Sequence, residues 1–248
     1  MSTLESAQPR SLATAALERA HSVRFNVRAA APRIAAVMLY AVAMAYVESA
    51  AVLYLRTIYG GIDPVGPRHS LFDPLPDFVG IEIGREAATI VMLAIVGYLA
   101  AATALGRIGA FAVAMGVWDV FYYVFLWLFA GWPQSALAPD VLFLIPLPWW
   151  GPVLSPILLA VLIVLSGCAA MARELGDGVP PLRIRELAAI LMGGALCLIA
   201  FMANSLDALP DGLVAAFSVR GGPFAWPLYL LGLTVASFGL LRALTRDA

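Results

Sequence analysis

The sequence lacks lysine altogether, because all 15 of its basic side chains are arginines, and it has only two histidines, His21 and His69. Without lysine the chain cannot form a Schiff base, which excludes retinal and pyridoxal cofactors bound in that way. Neither histidine lies in a long apolar run, so bis-histidine haem and the usual histidine-rich zinc or di-iron sites are excluded too. No glycine-rich phosphate loop or dinucleotide fingerprint occurs, and nucleotide cofactors are therefore not expected.

Charge is also scarce. Of the 248 residues 12% are charged and 62% are hydrophobic, and the mean hydropathy is +0.90. Soluble domains average about 25% charged residues, so the composition predicts an integral membrane protein of the all-α, polytopic class. The net charge of −1 gives no indication of a nucleic-acid partner. Membrane lipids are the expected partners, with other membrane subunits as a further possibility.

Long apolar runs predict about six transmembrane helices in one domain. They cover approximately 33–56, 81–105, 108–132, a segment that ends near 172, 187–206 and 224–244. The transmembrane domain is predicted to occupy 33–248, and residues 1–32 to form a cytoplasmic arm, either as an interfacial helix or as a disordered segment. The two cysteines, Cys168 and Cys197, lie in apolar runs and are interpreted as small core residues.

A shorter apolar segment, 137–148, lies between the third and fourth runs. It is too short to cross a bilayer and is interrupted by prolines. Irregular backbone at membrane depth is tolerated only where protein covers it. We therefore expect a re-entrant or interfacial segment between helices 3 and 4.

The arginines are distributed unevenly between the predicted loops. With six spans, only Arg56, Arg68, Arg85 and Arg220 fall on one side, and the other eleven of the 15 arginines fall on the opposite side. The positive-inside rule then places both termini in the cytoplasm. The expected location is the bacterial inner membrane, with the arginine-poor side facing the periplasm.

Three acidic residues lie inside the apolar runs: Glu48, Glu86 and Asp119. Charges at such depth cost a few kcal/mol or more, and they commonly mark functional sites. With six spans Glu48 and Glu86 fall in the outer half of the bilayer and Asp119 near mid-depth, which predicts a single polar pocket that opens outward. The residues expected to bind a substrate beside them are Arg56, Arg85, Tyr122, Tyr123, Trp149 and Trp150.

Several chemistries remain open for the three carboxylates. They are candidate catalytic residues as a general acid and base, candidate ligands for a divalent cation such as Mg²⁺, Ca²⁺ or Mn²⁺, and candidate contacts for a cationic ligand. Structural interpretations compete with each of these. Glu86 and Arg85 lie near a helix start, where acids complement the dipole, and Asp119 can serve as a tie between helices.

Several motifs carry a resemblance to a known group. They are Val47–Ala51, Gly84–Ala87, Gly116–Tyr123, Gly131–Pro133 and Leu142–Pro152, the last containing the sequence Pro148-Trp149-Trp150-Gly151-Pro152. In these segments, within about residues 40–160, the chain resembles a group of uncharacterised bacterial multi-pass membrane proteins. The resemblance implies a shared membrane fold and one shared site, and it transfers no activity.

Three function classes follow from the sequence. The first is a membrane-embedded enzyme or binding site for an amphipathic or lipid-linked substrate. The second is a non-catalytic subunit or assembly factor of a membrane complex, in which the polar groups tie helices together. The third is a transporter of small solutes or protons, against which stand the nearly charge-free inner half of the spans and the lack of an internal repeat.

Overall fold

The computed structural model describes residues 25–58, 79–176 and 182–246. Their order is α1 (Val27–Ile58), α2 (Val79–Ala100), α3 (Ala104–Ala130), β1 (Pro139–Phe143), β2 (Trp149–Pro152), α4 (Leu154–Glu174), α5 (Ile184–Ala208), a 3₁₀ turn (Leu209–Asp211), α6 (Leu213–Phe217) and α7 (Trp226–Thr245). Most of the predicted N-terminal arm, up to residue 24, and the loop 59–78 lie outside these residues.

Five of the helices (α1, α3, α4, α5 and α7) are long and apolar enough to cross a membrane. This confirms the prediction of a multi-pass helical membrane protein. Helix α2 has 22 residues, a comparable length, and it carries Glu82, Arg85 and Glu86 in its first two turns.

Two helix boundaries differ from the predicted spans. Helix α1 begins at Val27, so residues 27–32 belong to the first helix and not to the predicted arm. The Asn26 side chain accepts a hydrogen bond from the Ala29 N–H at 3.1 Å, which caps this start. Helix α3 begins at Ala104, where the Thr103 side chain accepts from the Gly106 N–H. Hydrophobicity marks the bilayer-crossing part of a helix, whereas capping side chains mark where the helix itself begins.

Helix α3 is the centre of the fold, since it packs against α1, α2 and α4, while α5 pairs with α7. The contact with α4 is close at Gly116, where an added Cβ would lie 2.7 Å from the Ala160 carbonyl oxygen. Small residues let helices approach in this way in membranes. Helix α3 ends at Gly131, whose φ of +66° is suited to glycine and turns the chain toward the hairpin.

The segment between α3 and α4, which was predicted to be re-entrant or interfacial, is a short β-hairpin in an otherwise helical structure. Strands β1 and β2 pair antiparallel, with Asp140 opposite Gly151 and Val141 opposite Trp150, and the register shifts between Val141 and Phe143. Asp140 and Trp150 are buried. The strand backbones satisfy each other's hydrogen bonds, which allows a non-helical segment to lie among the helices.

At the opposite end of the bundle an arginine holds the end of α7. Arg173 is buried and donates to the carbonyl oxygens of Leu244 and Arg246. Arg246 in turn pairs with Glu186 at 2.5 Å, and Glu186 also accepts from the Arg183 backbone N–H at 2.9 Å. These contacts join the C-terminal end of α4, the start of α5 and the end of α7.

Candidate functional site

A cavity of about 70 Å³ lies between α1, α2, α3 and strand β1. It lies toward the end of the bundle where α1 ends, α2 begins and α3 leads into the hairpin. Seven of the nine residues predicted for the site line it: Glu48, Arg56, Arg85, Glu86, Asp119, Tyr122 and Tyr123. The structure therefore brings together, from three helices, most of the side chains that the sequence singled out.

One side of the cavity is an ion pair between α1 and the hairpin. Arg56 donates from Nη2 to Asp140 Oδ1 at 2.7 Å, and the exposed fractions of the two side chains are 2% and 0%. The Tyr123 hydroxyl donates to Asp140 Oδ2 at 3.2 Å. The Arg56 guanidinium also lies 4.5 Å from the centre of the Trp132 ring. Both oxygens of Asp140 are thus used within the protein.

A second network lies on the α1–α2 side. Arg85 pairs with Glu48 and also with Glu82, whose Oε2 is 2.8 Å from Arg85 Nη2. The Thr89 hydroxyl donates to Glu48 Oε2 at 3.3 Å. Within α2 the acidic partner of Arg85 is Glu82, and the contact with Glu48 adds a link between two helices.

Glu86 connects α2 to the hairpin. Its Oε2 accepts the backbone N–H of Leu144 at 2.8 Å, in a buried position. Leu144 follows strand β1, where the backbone turns and has no ladder partner. The Glu86 carboxylate therefore supplies an acceptor that the hairpin itself does not provide, which gives this residue a structural role beside any functional one.

Asp119 differs from the other ionisable side chains around the cavity. It lines the cavity beside Trp118 and Tyr122, yet within the described residues its carboxylate makes no hydrogen bond and no ion pair. The hydroxyls of the two tyrosines that follow on the same helix are directed to other groups. Tyr123 donates to Asp140, and Tyr122 accepts from Arg56 at 3.4 Å.

Aromatic rings form the wall near Asp119. The Trp118 ring lies 6.0 Å from the Phe143 ring and 6.4 Å from the Tyr122 ring, measured between centroids, and all three residues line the cavity. Trp118 is 5% exposed, and its indole N–H is buried without an acceptor in the part of the chain that the structure describes. Among the described residues, the walls of the cavity thus include a carboxylate without a hydrogen bond, at Asp119, and a buried indole N–H without an acceptor, at Trp118.

Trp149 and Trp150 were predicted to bind substrate, and the structure does not bring them to the cavity. Trp149 stacks on Phe201 of α5, with ring centroids 6.0 Å apart and planes 8° apart. Trp150 is 2% exposed and forms a small apolar cluster with Leu144 and partly buried hydrophobic side chains. Both side chains anchor β2 in the bundle.

The metal hypothesis required Glu48, Glu86 and Asp119 to converge on one point. Among the described residues no group of three or more histidine, cysteine, aspartate or glutamate side chains has the geometry to hold an ion. Glu48 is directed to Arg85 and Thr89, and Glu86 to the hairpin backbone. A divalent cation at Asp119 would need ligands from outside this set.

Sequence reasoning missed the importance of Asp140 and Thr89. Asp140 had a visible signal, because it is an acid inside an apolar segment expected to be covered by protein, and such a group needs a buried partner. Thr89 gave no signal, since a hydroxyl in an apolar helix usually bonds to its own backbone.

Comparison with protein-family models, with curated proteins and with solved structures finds no match for this chain. The function is therefore argued from the geometry of the cavity.

Proposed function

We propose that this protein is a bacterial inner-membrane protein of six spans whose cavity binds the polar end of an amphipathic or lipid-linked substrate, as a binding site or as the active site of a membrane-embedded enzyme. The observation that carries the proposal is the Asp119 carboxylate, which has no hydrogen bond or ion pair with the residues that the structure describes. The other acids and arginines that line the cavity each have a hydrogen bond or an ion pair within the protein.

Asp119 is half-buried, and a polar group withdrawn from water without a partner is costly to the fold. The cost is higher in a bilayer, where ionisable residues inside the membrane usually mark a ligand or ion path. Asp119 lies next to a cavity, so a bound molecule is able to supply its missing partner. In an enzyme, Asp119 would be the candidate for proton transfer, whereas Glu48 and Glu86 would position Arg85 and the hairpin.

The surroundings of the cavity favour an amphipathic ligand. Apolar side chains such as Val52, Leu55 and Leu142 line it together with the carboxylates. Its volume of about 70 Å³ suits a few water molecules or a small polar group, because one water needs about 10–15 Å³ on such a measure. We infer that the polar end of the substrate enters the cavity while its apolar part lies along the exposed apolar faces of α1 and α2.

Six spans with both termini in the cytoplasm complete the proposal. Helix α2, at 22 residues, is long enough to span if Glu82, Arg85 and Glu86 face the cavity and one another, and the arginine distribution supports this orientation. Reporter fusions after Gly176 are expected to be cytoplasmic, and fusions after Ala136 or Gly212 periplasmic. A periplasmic result at Gly176 would reverse the side on which the cavity opens.

The test of the site is native mass spectrometry of protein purified in a mild detergent. Wild-type protein is expected to retain a small molecule or lipid that Asp119→Asn loses, because the neutral amide is a weaker acceptor. Asp207→Asn is the matched control, since Asp207 is exposed and does not line the cavity. Equal retention by wild type and Asp119→Asn would contradict the proposal.

The same preparations distinguish the competing interpretations. A protein partner bound in stoichiometric amount, with no small ligand, would favour a subunit or assembly factor. A divalent metal present in wild type and lost from both Glu48→Gln and Asp119→Asn, measured by elemental analysis, would favour the metal hypothesis.

A further inference from the structure

We infer that the ligand of this cavity presents an organic ammonium group to Asp119, with a hydrogen-bond acceptor beside it for the indole N–H of Trp118. This inference rests on the proposed function, because it names the chemical class of the substrate at the same site. An aminophospholipid headgroup and an amino sugar both carry an amine next to oxygen acceptors.

The excess of acidic side chains around the cavity favours a cationic ligand. Among the described residues four carboxylates line the cavity, at Glu48, Glu82, Glu86 and Asp119, together with two guanidinium groups, at Arg56 and Arg85. A fifth carboxylate, Asp140, pairs with Arg56. Acids therefore outnumber arginines by three around the cavity. Where these carboxylates are ionised they repel one another, and a cationic ligand reduces that repulsion.

The second argument is the aromatic wall. Trp118, Tyr122 and Phe143 line the same small cavity as Asp119, with their ring centres about 6 Å apart. Ammonium groups are attracted to the faces of such rings, most strongly to tryptophan, and the attraction grows when water is excluded. A carboxylate combined with aromatic faces is a suitable surrounding for an alkylammonium group.

The third argument is the donor on Trp118. Its buried N–H has no acceptor within the described part of the chain, and an inorganic cation or a simple alkylamine would leave it unmatched. A ligand that carries an oxygen near its amine satisfies both groups at once. Among cations, the class of ligand that suits both groups is therefore an amine with a neighbouring hydrogen-bond acceptor.

An anionic headgroup without an amine is disfavoured by the same contacts. Arg56 is paired with Asp140, and Arg85 with Glu48 and Glu82. A phosphate in the cavity would have to displace these carboxylates from the arginines and would add to the excess of negative charge. Breaking a buried ion pair in this way is strongly unfavourable.

The experiment uses the full chain in lipid nanodiscs of phosphatidylglycerol that contain increasing fractions of phosphatidylethanolamine. Lipid retained after transfer to detergent is counted by native mass spectrometry. We expect wild type to enrich phosphatidylethanolamine at least about tenfold over phosphatidylglycerol, which corresponds to about 1.4 kcal/mol of binding free energy. Asp119→Asn is expected to lose that enrichment. Asp207→Asn is expected to behave as wild type.

A second variant, Trp118→Phe, keeps an aromatic ring at this position and removes the N–H together with part of the indole. It is expected to lower the enrichment by a smaller factor than Asp119→Asn, which keeps the test decisive if one variant is poorly folded. Added ethanolamine or glucosamine distinguishes the source of the amine: displacement of the lipid by millimolar amounts of either would support the same chemistry with a small soluble ligand.

Two outcomes would overturn the inference. If wild type retains a ligand without an amine, and that ligand depends on Asp119, the substrate class is wrong while the proposed binding site stands. If no ligand of any kind depends on Asp119, both the substrate class and the proposed function fail.

Discussion

At the end of the bundle away from the hairpin, Arg173 and Glu186 are engaged with backbone groups and with Arg246. At the hairpin end Arg56 plays a similar part, since it holds the hairpin through Asp140. The difference is that the hairpin end carries additional carboxylates, one of which, Asp119, has no partner among the described residues. In both regions the paired charges attach a segment to the helices, and only the second region has an acidic group that pairing does not explain.

This comparison separates two kinds of intramembrane charge. A charge whose partners are all within the protein stabilises the fold, and its removal leaves the partner buried and uncompensated. A charge without an internal partner destabilises the fold, so its presence calls for a ligand. Asp140, which pairs with Arg56, is of the first kind, and Asp119 is of the second. Substitutions at these two aspartates test the contrast.

The largest expected effect belongs to Asp140→Asn. The substitution keeps the shape of the side chain but removes the carboxylate that pairs with the Arg56 guanidinium, whose side chain is 2% exposed. We expect a loss of about 3–5 kcal/mol in the free energy of unfolding. The measurement is the thermal midpoint and the denaturant midpoint of the purified protein in detergent.

The control for Asp140 is the double variant Asp140→Asn with Arg56→Gln. It removes both charges, so most of the lost stability is expected to return. The exposed Asp207→Asn should change little. If Asp140→Asn alone unfolds like wild type, the ion pair does not hold the hairpin and the contrast with Asp119 loses its basis.

A smaller effect is expected for Arg173→Met at the opposite end. Arg173 donates to two backbone carbonyl oxygens near the end of α7, and methionine fills much of the same space without donors. These hydrogen bonds are part-buried, so their loss is expected to cost about 1 kcal/mol, near the low end of the range for buried groups. Arg242→Met, at an exposed position on α7, is the matched control.

Ligand retention separates this region from the cavity. Arg173→Met is expected to keep any ligand that Asp119→Asn loses, because the two regions lie at opposite ends of the bundle. Loss of the ligand in Arg173→Met without a fall in stability would show that the two ends of the bundle are coupled. It would contradict the assignment of ligand binding to the cavity end alone.

The helices and most of the cavity residues were predictable from the sequence. Apolar runs longer than about 18 residues identify spans directly, and charges within them are few enough to be singled out one by one. Connection order then places the end of α1, the start of α2 and the end of α3 on one side of the bundle. For this reason seven of the nine predicted site residues meet at the cavity.

The hairpin and the pairings were not predictable. Strand β1 shows no polar–apolar alternation around Val141 and Phe143, because both of its faces are covered by protein, and periodicity then fails to separate strand from helix. The partner of Arg56 depends on how far each helix is rotated about its axis. That rotation is set by packing such as the Gly116 contact with Ala160, and short-range sequence patterns do not contain it.

The smallest expected effect on stability belongs to Asp119→Asn. The carboxylate of Asp119 has no internal hydrogen bond or ion pair in the described residues, so the substitution breaks no contact. It also removes the cost of holding a charge away from water. We therefore expect the thermal midpoint to stay unchanged or to rise slightly, with a gain of less than about 1 kcal/mol in the free energy of unfolding. The amount of ligand that the protein retains is expected to fall.

Two measurements on the same samples decide how Asp119 is used. A stable Asp119→Asn protein that no longer retains the ligand places Asp119 apart from Asp140 and supports a binding group. An unstable Asp119→Asn protein whose stability returns when Arg56 or Arg85 is also neutralised would mean that this arginine pairs with Asp119 as well as with its other acid. Asp119 would then have a structural role. Because Arg56 lies 2.7 Å from Asp140 Oδ1 and Arg85 is held by Glu48 and Glu82, neither arginine depends on Asp119 for its balance, and the first result is the expected one.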